Sequence, residues 1–295
     1  MENSKCCIFM ISSRVKVLKT CLELLYKNYN NKFQFPVHIF YFDDIYSNDY
    51  IEDIQNSINK NINFHQIEYK IPDHIEEKDL FYNKTFLKYV RHNFSKKRIG
   101  YLHAVYWKYN CFTSDILKQY DYLHIIDDDS FFIKEINNNL FDLLEGFLMG
   151  TSHTEDYVNR NIIDVRQELH TFIKYFINKY NITIKNKELK ECINNDDTSY
   201  IYGNKNKKTF IKWNSGNCNM YNRKLFDENW KLWIKEINNF GGTFKHRWTD
   251  IEVITLYCYI FLDKPCFDFK LKEKGLYETG NTKWLRVGTA PSTKN

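Results

Sequence analysis

No run of about 18 apolar residues occurs in the 295-residue chain, so none of its segments has the length to cross a bilayer as a helix. The eight cysteines (6, 7, 21, 111, 192, 218, 258 and 266) include no C-x-x-C pair, which removes zinc-ribbon spacing, and the chain is too long for a small disulfide scaffold. Cys6, Cys7, Cys218 and Cys258 lie in apolar runs, where a buried thiol acts as a small hydrophobe, so a reducing compartment is expected. Only 10 glycines and 4 prolines are present, too few for collagen-like or linker-rich architecture. A dense basic block is missing too. The 42 Lys and Arg against 37 Asp and Glu leave +5, but scattered, which argues against DNA or RNA and fits a small anionic ligand better. No basic stretch precedes the first short apolar run, so that run reads as a strand and not a secretory leader, and a soluble, cytoplasmic protein is expected.

What the chain has is apolar pattern. Residues 6–11 (CCIFMI) form an all-apolar run of the kind buried on both faces of a parallel sheet. Residues 14–30 space Val17, Leu18, Cys21, Leu22, Leu24 and Leu25 as a helix does, and VHIFYF after Pro36 gives a second strand. Residues 49–60 then read as a helix and 62–69 as a third strand. Strand, helix and strand in about 40 residues make a βαβ unit with a right-handed crossover. The fold expected is α/β, with a mostly parallel, Rossmann-like central sheet flanked by helices. The expected organisation is one domain over 1–295, with a nucleotide-binding half (1–135) and a sugar- and acceptor-binding half (136–295). An Asn/Lys-rich stretch at 151–208 reads as a surface insertion.

Several clusters can carry chemistry. Asp127, Asp128 and Asp129 follow the apolar LHII run directly, and ligands of open α/β sheets sit beyond the carboxyl ends of strands. Positions 127 and 129 alternate to the same side and offer hard oxygens for Mn²⁺ or Mg²⁺, with Asp128 assigned to the nucleotide side. The competing reading is a solvated turn or helix cap. Asp43, beside Asp44, closes the second strand where an acid accepts hydrogen bonds from a ribose, though turns also select Asp. Ser12, Ser13 and Arg14 stand where the first strand becomes a helix, a place that favours anions; plain serine capping is the alternative. Trp213, Asn214, Ser215, Gly216 and Asn217 form a polar bend able to orient sugar hydroxyls, or a simple turn. His246, Arg247, Trp248 and Asp250 gather a carboxylate, a cation and an aromatic face at a helix start, suited to a sugar ring or to an N-cap beside a core Trp.

In this order the blocks resemble glycosyltransferase family 15, the fungal α-1,2-mannosyltransferases of GT-A fold. The resemblance runs through NKFQFPVHIFYFDD (31–44), IGYLHAVYWKYNCF (99–112), YLHIIDDDSFF (122–132) and GGTFKHRWTDIEVITLYCYIFL (241–262). It implies Mn²⁺-aided, retaining transfer of a hexose from a nucleotide sugar donor, GDP-mannose or a UDP-hexose, to a glycan or glycoprotein acceptor. By position it implies metal carboxylates at Asp127 and Asp129, and Tyr101 and His103 beside the nucleotide. Arg247 and Trp248 would border the sugar, and Asp250 and Asn217 would stand at the reacting centre. Three departures accompany it. Asp127 and Asp128 replace the family's Glu and Pro, Asn217 falls near its proposed Glu nucleophile, and no His follows His246 to serve as a further metal ligand. An amide cannot form a glycosyl ester, so the resemblance leaves front-face departure and attack, or a member that binds without catalysis. A metal-dependent phosphotransferase or nuclease built on the three acids is the reading from another class.

Overall fold

The computed structural model describes residues 5–42, 45–81, 99–157, 166, 168–203 and 208–279. Its strands are β1 (Cys6–Ser12), β2 (Val37–Phe42), β3 (Ile62–Ile67), β4 (Tyr122–Ile126), β5 (Ser130–Phe132), β6 (Met149–Thr151), β7 (Thr154–Tyr157), β8 (Lys208–Asn214), β9 (Cys218–Asn222), β10 (Phe267–Asp268) and β11 (Tyr277–Thr279). The main helices are α1 (Val15–Leu25), α2 (Asn48–Ser57), α3 (Ile99–Asn110), α4 (Leu169–Tyr180), α5 (Lys187–Asn194), α6 (Glu228–Phe240), α7 (Gly242–His246) and α8 (Asp250–Phe261).

Seven strands form the central sheet in the order β10-β6-β9-β4-β1-β2-β3. β4, β1, β2 and β3 run parallel, as the apolar runs predict, and β9 is antiparallel to both its neighbours. Two small antiparallel ribbons, β5 with β11 and β7 with β8, are added outside it.

Alternation along β1 explains why its sequence is apolar at every position. Cys7 and Phe9 enter one core, Ile8 and Met10 the other, because successive strand residues face opposite sides. The first core is covered by α3, α4, α6 and α8, and the second by α1, α2 and the β5–β11 ribbon. The expected halves, 1–135 and 136–295, share both cores.

Two expectations change. The helix expected over 14–30 ends at Leu25 and continues as one π-helical turn, Tyr26–Asn30. Buried asparagines take backbone partners there: Asn28 Nδ2 donates to Phe132 O and Asn30 Nδ2 to Phe35 O. The helix at 169–180 within the 151–208 stretch is not peripheral. Phe172, Ile173 and Phe176 of α4 are fully buried against Trp233, Trp248 and Phe240 of the first core. The Asn and Lys residues of α4 lie around an apolar stripe that the polar composition masks. No helix among the described residues is long and apolar enough to cross a membrane.

Candidate active site

A cavity of about 450 Å³ opens where β1 and β4 run out, within the size range of small-molecule sites. Ser12, Ser13 and Arg14 come to it from the β1–α1 junction, Asp127 and Asp128 from the end of β4, and Phe42 from the end of β2. Helix α3 supplies Gly100, Tyr101, Ala104, Val105 and Lys108, and Arg247 precedes α8. Residues 101, 104, 105 and 108 share one helical face, so a single stripe of α3 forms a wall.

The three acids divide their work. Asp128 is buried, and its Oδ2 accepts from Ser12 Oγ at 2.8 Å, from the Ser13 amide at 3.0 Å and from the Arg14 amide at 3.1 Å. Its Oδ1 accepts from an Arg14 guanidinium nitrogen at 2.6 Å. Burial pushes the Asp128 carboxyl up from its ordinary range, while Arg14 and the hydroxyl and amide donors pull it back down. The amides expected to meet a phosphate at this helix start are thus satisfied by the protein's own carboxylate. Asp128 ties β4 to the β1–α1 junction and also lines the cavity.

Asp127 and Asp129 each meet a cation, Asp129 sharing the Arg14 guanidinium with Asp128. Asp127 Oδ1 lies 2.5 Å from Lys108 Nζ, and Asp129 Oδ2 lies 2.8 Å from Arg14. Lys108 is 8% exposed, and its ammonium also donates to Gly216 O at 3.1 Å and stands 3.8 Å from Asp250 Oδ2. Burial alone would lower its pKa, but Asp127 and Asp250 outweigh that and hold the ammonium charged, above the usual lysine range. Asp250, 5% exposed, is the first residue of α8, after a capping box made by Thr249 and Glu252. Burial pushes its carboxyl up to about 6, with Asp127 and Glu252 adding to the rise and Lys108 opposing it.

Among the described residues no three His, Cys, Asp or Glu side chains converge in a way that could hold a metal ion. Asp127 and Asp129 nevertheless have the right donor chemistry, two hard carboxylates with side chains 26% and 19% exposed beside the cavity. A divalent ion would find two protein carboxylates there, each already carrying a cation.

Opposite the charges is an aromatic wall. Phe42 and Tyr69 stack with ring centroids 4.3 Å apart, and Arg247 lies 5.4 Å over the Tyr101 ring. Arg247 holds a left-handed φ of 59°, a conformation few side chains adopt without compensation. His103 is buried behind this wall, 4.7 Å from the Tyr69 ring.

Other expected site residues fall elsewhere. Trp213 is buried with the Arg166 guanidinium 3.6 Å over its ring, and Trp248 is fully buried, stacked against both Phe240 and His246. Neither presents a face to a sugar, because each fills the core beneath the bend it was read from. Asn214 is spent on Thr255 and the Gly216 amide, and Ser215 on Thr151 and Ser152. Gly216, at φ +72°, is the close-approach position: a Cβ there would sit 2.6 Å from Ile251 Cγ1. The Asn217 amide donates to Thr279 Oγ1 at 3.0 Å and its carbonyl oxygen accepts from the Tyr277 hydroxyl at 3.0 Å. Its side chain is fixed to β11, while its backbone carbonyl accepts from the amide of cavity-lining Asp127 at 2.9 Å. Asp43 lies outside the described residues. Lys108, Phe42 and Tyr69 were not singled out by the motifs. The available signal for Lys108 was its place three and four residues beyond Val105 and Ala104 and seven beyond Tyr101, a charge on an aromatic helical face.

No protein-family model matches the chain, and no curated protein matches it. Solved structures do. Core-mannan synthase A (CmsA/Ktr4) from Aspergillus fumigatus, in its Mn/GDP form, superposes with a TM-score of 0.73 at 15% identity, covering 88% of this chain and 71% of its own. The mannosyltransferase Ktr4p from S. cerevisiae gives 0.72 at 15% identity, covering 94% and 71%. Its complex with GDP gives 0.72 at 17%, covering 88% and 68%. The likeness gives this chain the GT-A fold that its motif blocks imply.

Proposed function

We propose that this protein is a glycosyltransferase that takes a hexose from a nucleoside diphosphate sugar and hands it to a glycan or glycoprotein acceptor. One observation carries the reading: Arg14, Lys108 and Arg247 border a single cavity with Asp127 and an aromatic wall, at the carboxyl ends of parallel strands. The rings of Phe42, Tyr69 and Tyr101 suit the faces of a nucleobase or ribose. The three cations oppose a diphosphate, whose charge grows as the sugar leaves, and a low-dielectric cleft strengthens that opposition. The resemblance to a mannosyltransferase seen with GDP puts GDP-mannose first among donors, ahead of a UDP-hexose.

Asp127 and Asp129 are the residues that would hold Mn²⁺ or Mg²⁺, and such an ion would neutralise charge on the departing diphosphate. Asp250, with its pKa near 6, is mostly ionised at neutral pH and favours the positive charge that develops on the sugar. Asn217 is fixed by Tyr277 and Thr279 and has no carboxylate to offer. Retention therefore proceeds with departure and attack on one face of the sugar, the leaving phosphate taking the acceptor's proton. The same Asn217 favours a second reading, a nucleotide- or glycan-binding protein without turnover.

The test is release of nucleoside diphosphate from GDP-mannose and UDP-hexoses by the purified chain with Mn²⁺, beside calorimetry with GDP and UDP. Turnover of one donor, cut by about tenfold or more in Arg247→Ala, is the expected result. Binding without release selects the second reading. Failure of both nucleotides to bind at millimolar concentration overturns both.

A further inference from the structure

We infer that Lys108 is a built-in competitor for the divalent ion, holding Asp127 until a diphosphate arrives, so that metal and nucleotide bind together and neither binds well alone. The inference rests on the donor reading of the preceding subsection and assigns a task to a residue that reading leaves as one cation among three.

The surroundings of the Lys108 ammonium are the starting point. It is nearly buried and has oxygens from three separate elements around it: Asp127 Oδ1 at 2.5 Å, Gly216 O at 3.1 Å and Asp250 Oδ2 at 3.8 Å. Converging hard oxygens of this kind are what a divalent cation seeks, and a lysine occupies them instead. To reach Asp127, an ion would have to break a short, shielded contact. It would leave a lysine side chain only 10% exposed with one carbonyl and a carboxylate beyond hydrogen-bond distance. Arg14 on Asp129 presents a lower barrier, since its side chain is 48% exposed and water can replace the lost contact.

Charge counting gives the direction of the coupling. Asp127, Asp128, Asp129 and Asp250 bring four negative charges, and Arg14, Lys108 and Arg247 bring three positive ones, which leaves −1. A lone diphosphate would drive the cluster strongly negative, and a lone divalent ion would drive it positive while stranding Lys108. Arriving together they nearly cancel. The diphosphate gives the displaced ammonium an anionic partner, and Asp127 becomes available to the ion. Because coupling between two ligands is reciprocal, each must raise the other's affinity by the same factor.

The experiment is an electron paramagnetic resonance titration of Mn²⁺ on the intact protein, with and without GDP or UDP, corrected for the Mn²⁺–nucleotide complex measured without protein. The wild type should bind Mn²⁺ about tenfold or more tightly when the preferred nucleotide is present, the size of an ordinary allosteric coupling. Lys108→Met should bind Mn²⁺ more tightly than wild type in the absence of nucleotide and lose most of the coupling, while Lys108→Arg keeps it. A cation acting only through the net charge of the cavity would raise metal affinity on removal no more than Arg247→Ala does. Arg247→Ala, which removes a cavity cation without touching Asp127, should raise nucleotide-free affinity much less. The proposal is overturned if wild-type Mn²⁺ affinity is the same with and without a nucleotide that binds. It is equally overturned if folded Lys108→Met binds Mn²⁺ alone no better than wild type. If Lys108→Met does not fold, Lys108→Gln, which removes the charge but keeps a donor for Gly216 O, is read in its place with the same two outcomes. Absence of any nucleotide binding, with or without Mn²⁺, removes instead the donor reading beneath it.

Discussion

The substitution Asp250→Asn tests whether burial of this carboxyl is a strain kept for function. Its pKa is raised from an ordinary 3.8 to about 6 because burial outweighs the attraction of Lys108. The shift carries on the order of 3 kcal/mol against the charged form at neutral pH. The sign follows from proton binding. A carboxyl whose folded pKa lies above its unfolded one holds protons more tightly when folded. Its contribution is thus fully favourable below about pH 4 and is lost as the pH climbs to about 6. A carboxamide has nearly the same shape and no charge to bury. The variant should match wild type near pH 4 in thermal unfolding and pull ahead above pH 6. For a chain of 295 residues the gain corresponds to a melting temperature higher by about 5 °C. Nucleotide-sugar turnover should fall in the same variant, the pairing of gained stability and lost activity seen where a site is held at the expense of the fold. Equal or lower stability at pH 7, or a difference that ignores pH, would refute the reasoning.

The acidic triplet offers a contrast in one experiment. Asp128→Ala removes the shared acceptor of the Ser12 hydroxyl, the Ser13 and Arg14 amides and the half-exposed Arg14 guanidinium, and should cost about 1–3 kcal/mol in urea unfolding. Asp129→Ala removes a half-exposed ion pair and should cost under about 1 kcal/mol. Gly242→Ala would drive a Cβ into Trp248 Cε3, a ring locked in the core, and should cost about 1–3 kcal/mol by the same assay.

Strands with a fully apolar text were legible, since VHIFYF is β2 residue for residue and the CCIFMI run sits within β1. Dense burial on both faces leaves no polar position to blur the boundary. The middle of the chain was opaque because α4 and α5 carry narrow apolar stripes among Asn and Lys, and average composition hides a stripe. At the site, the acidic cluster was visible as a group but its division of labour was not. Whether Asp128 faces a ligand or its own backbone depends on β1 lying beside β4, a contact between residues more than a hundred positions apart. Trp213 and Trp248 misled for a related reason. Each flanks a polar bend, and only packing against Arg166 and Phe240 tells a core ring from a sugar platform.

The β5–β11 ribbon has a bearing on how the protein is made. Ser130, one residue past the acids, accepts from the Tyr277 hydroxyl at 2.7 Å, and Asn217 is anchored to Tyr277 and Thr279. A nascent chain emerges from the ribosome in order, so β11 follows the acids it buttresses by about 150 residues. Most of the sheet can assemble before β11 is made, and pairings of such separation are slow to form in any case. The turn is therefore braced only once β11 has emerged, and a molecule made short of it carries its acids without the buckle that sets them.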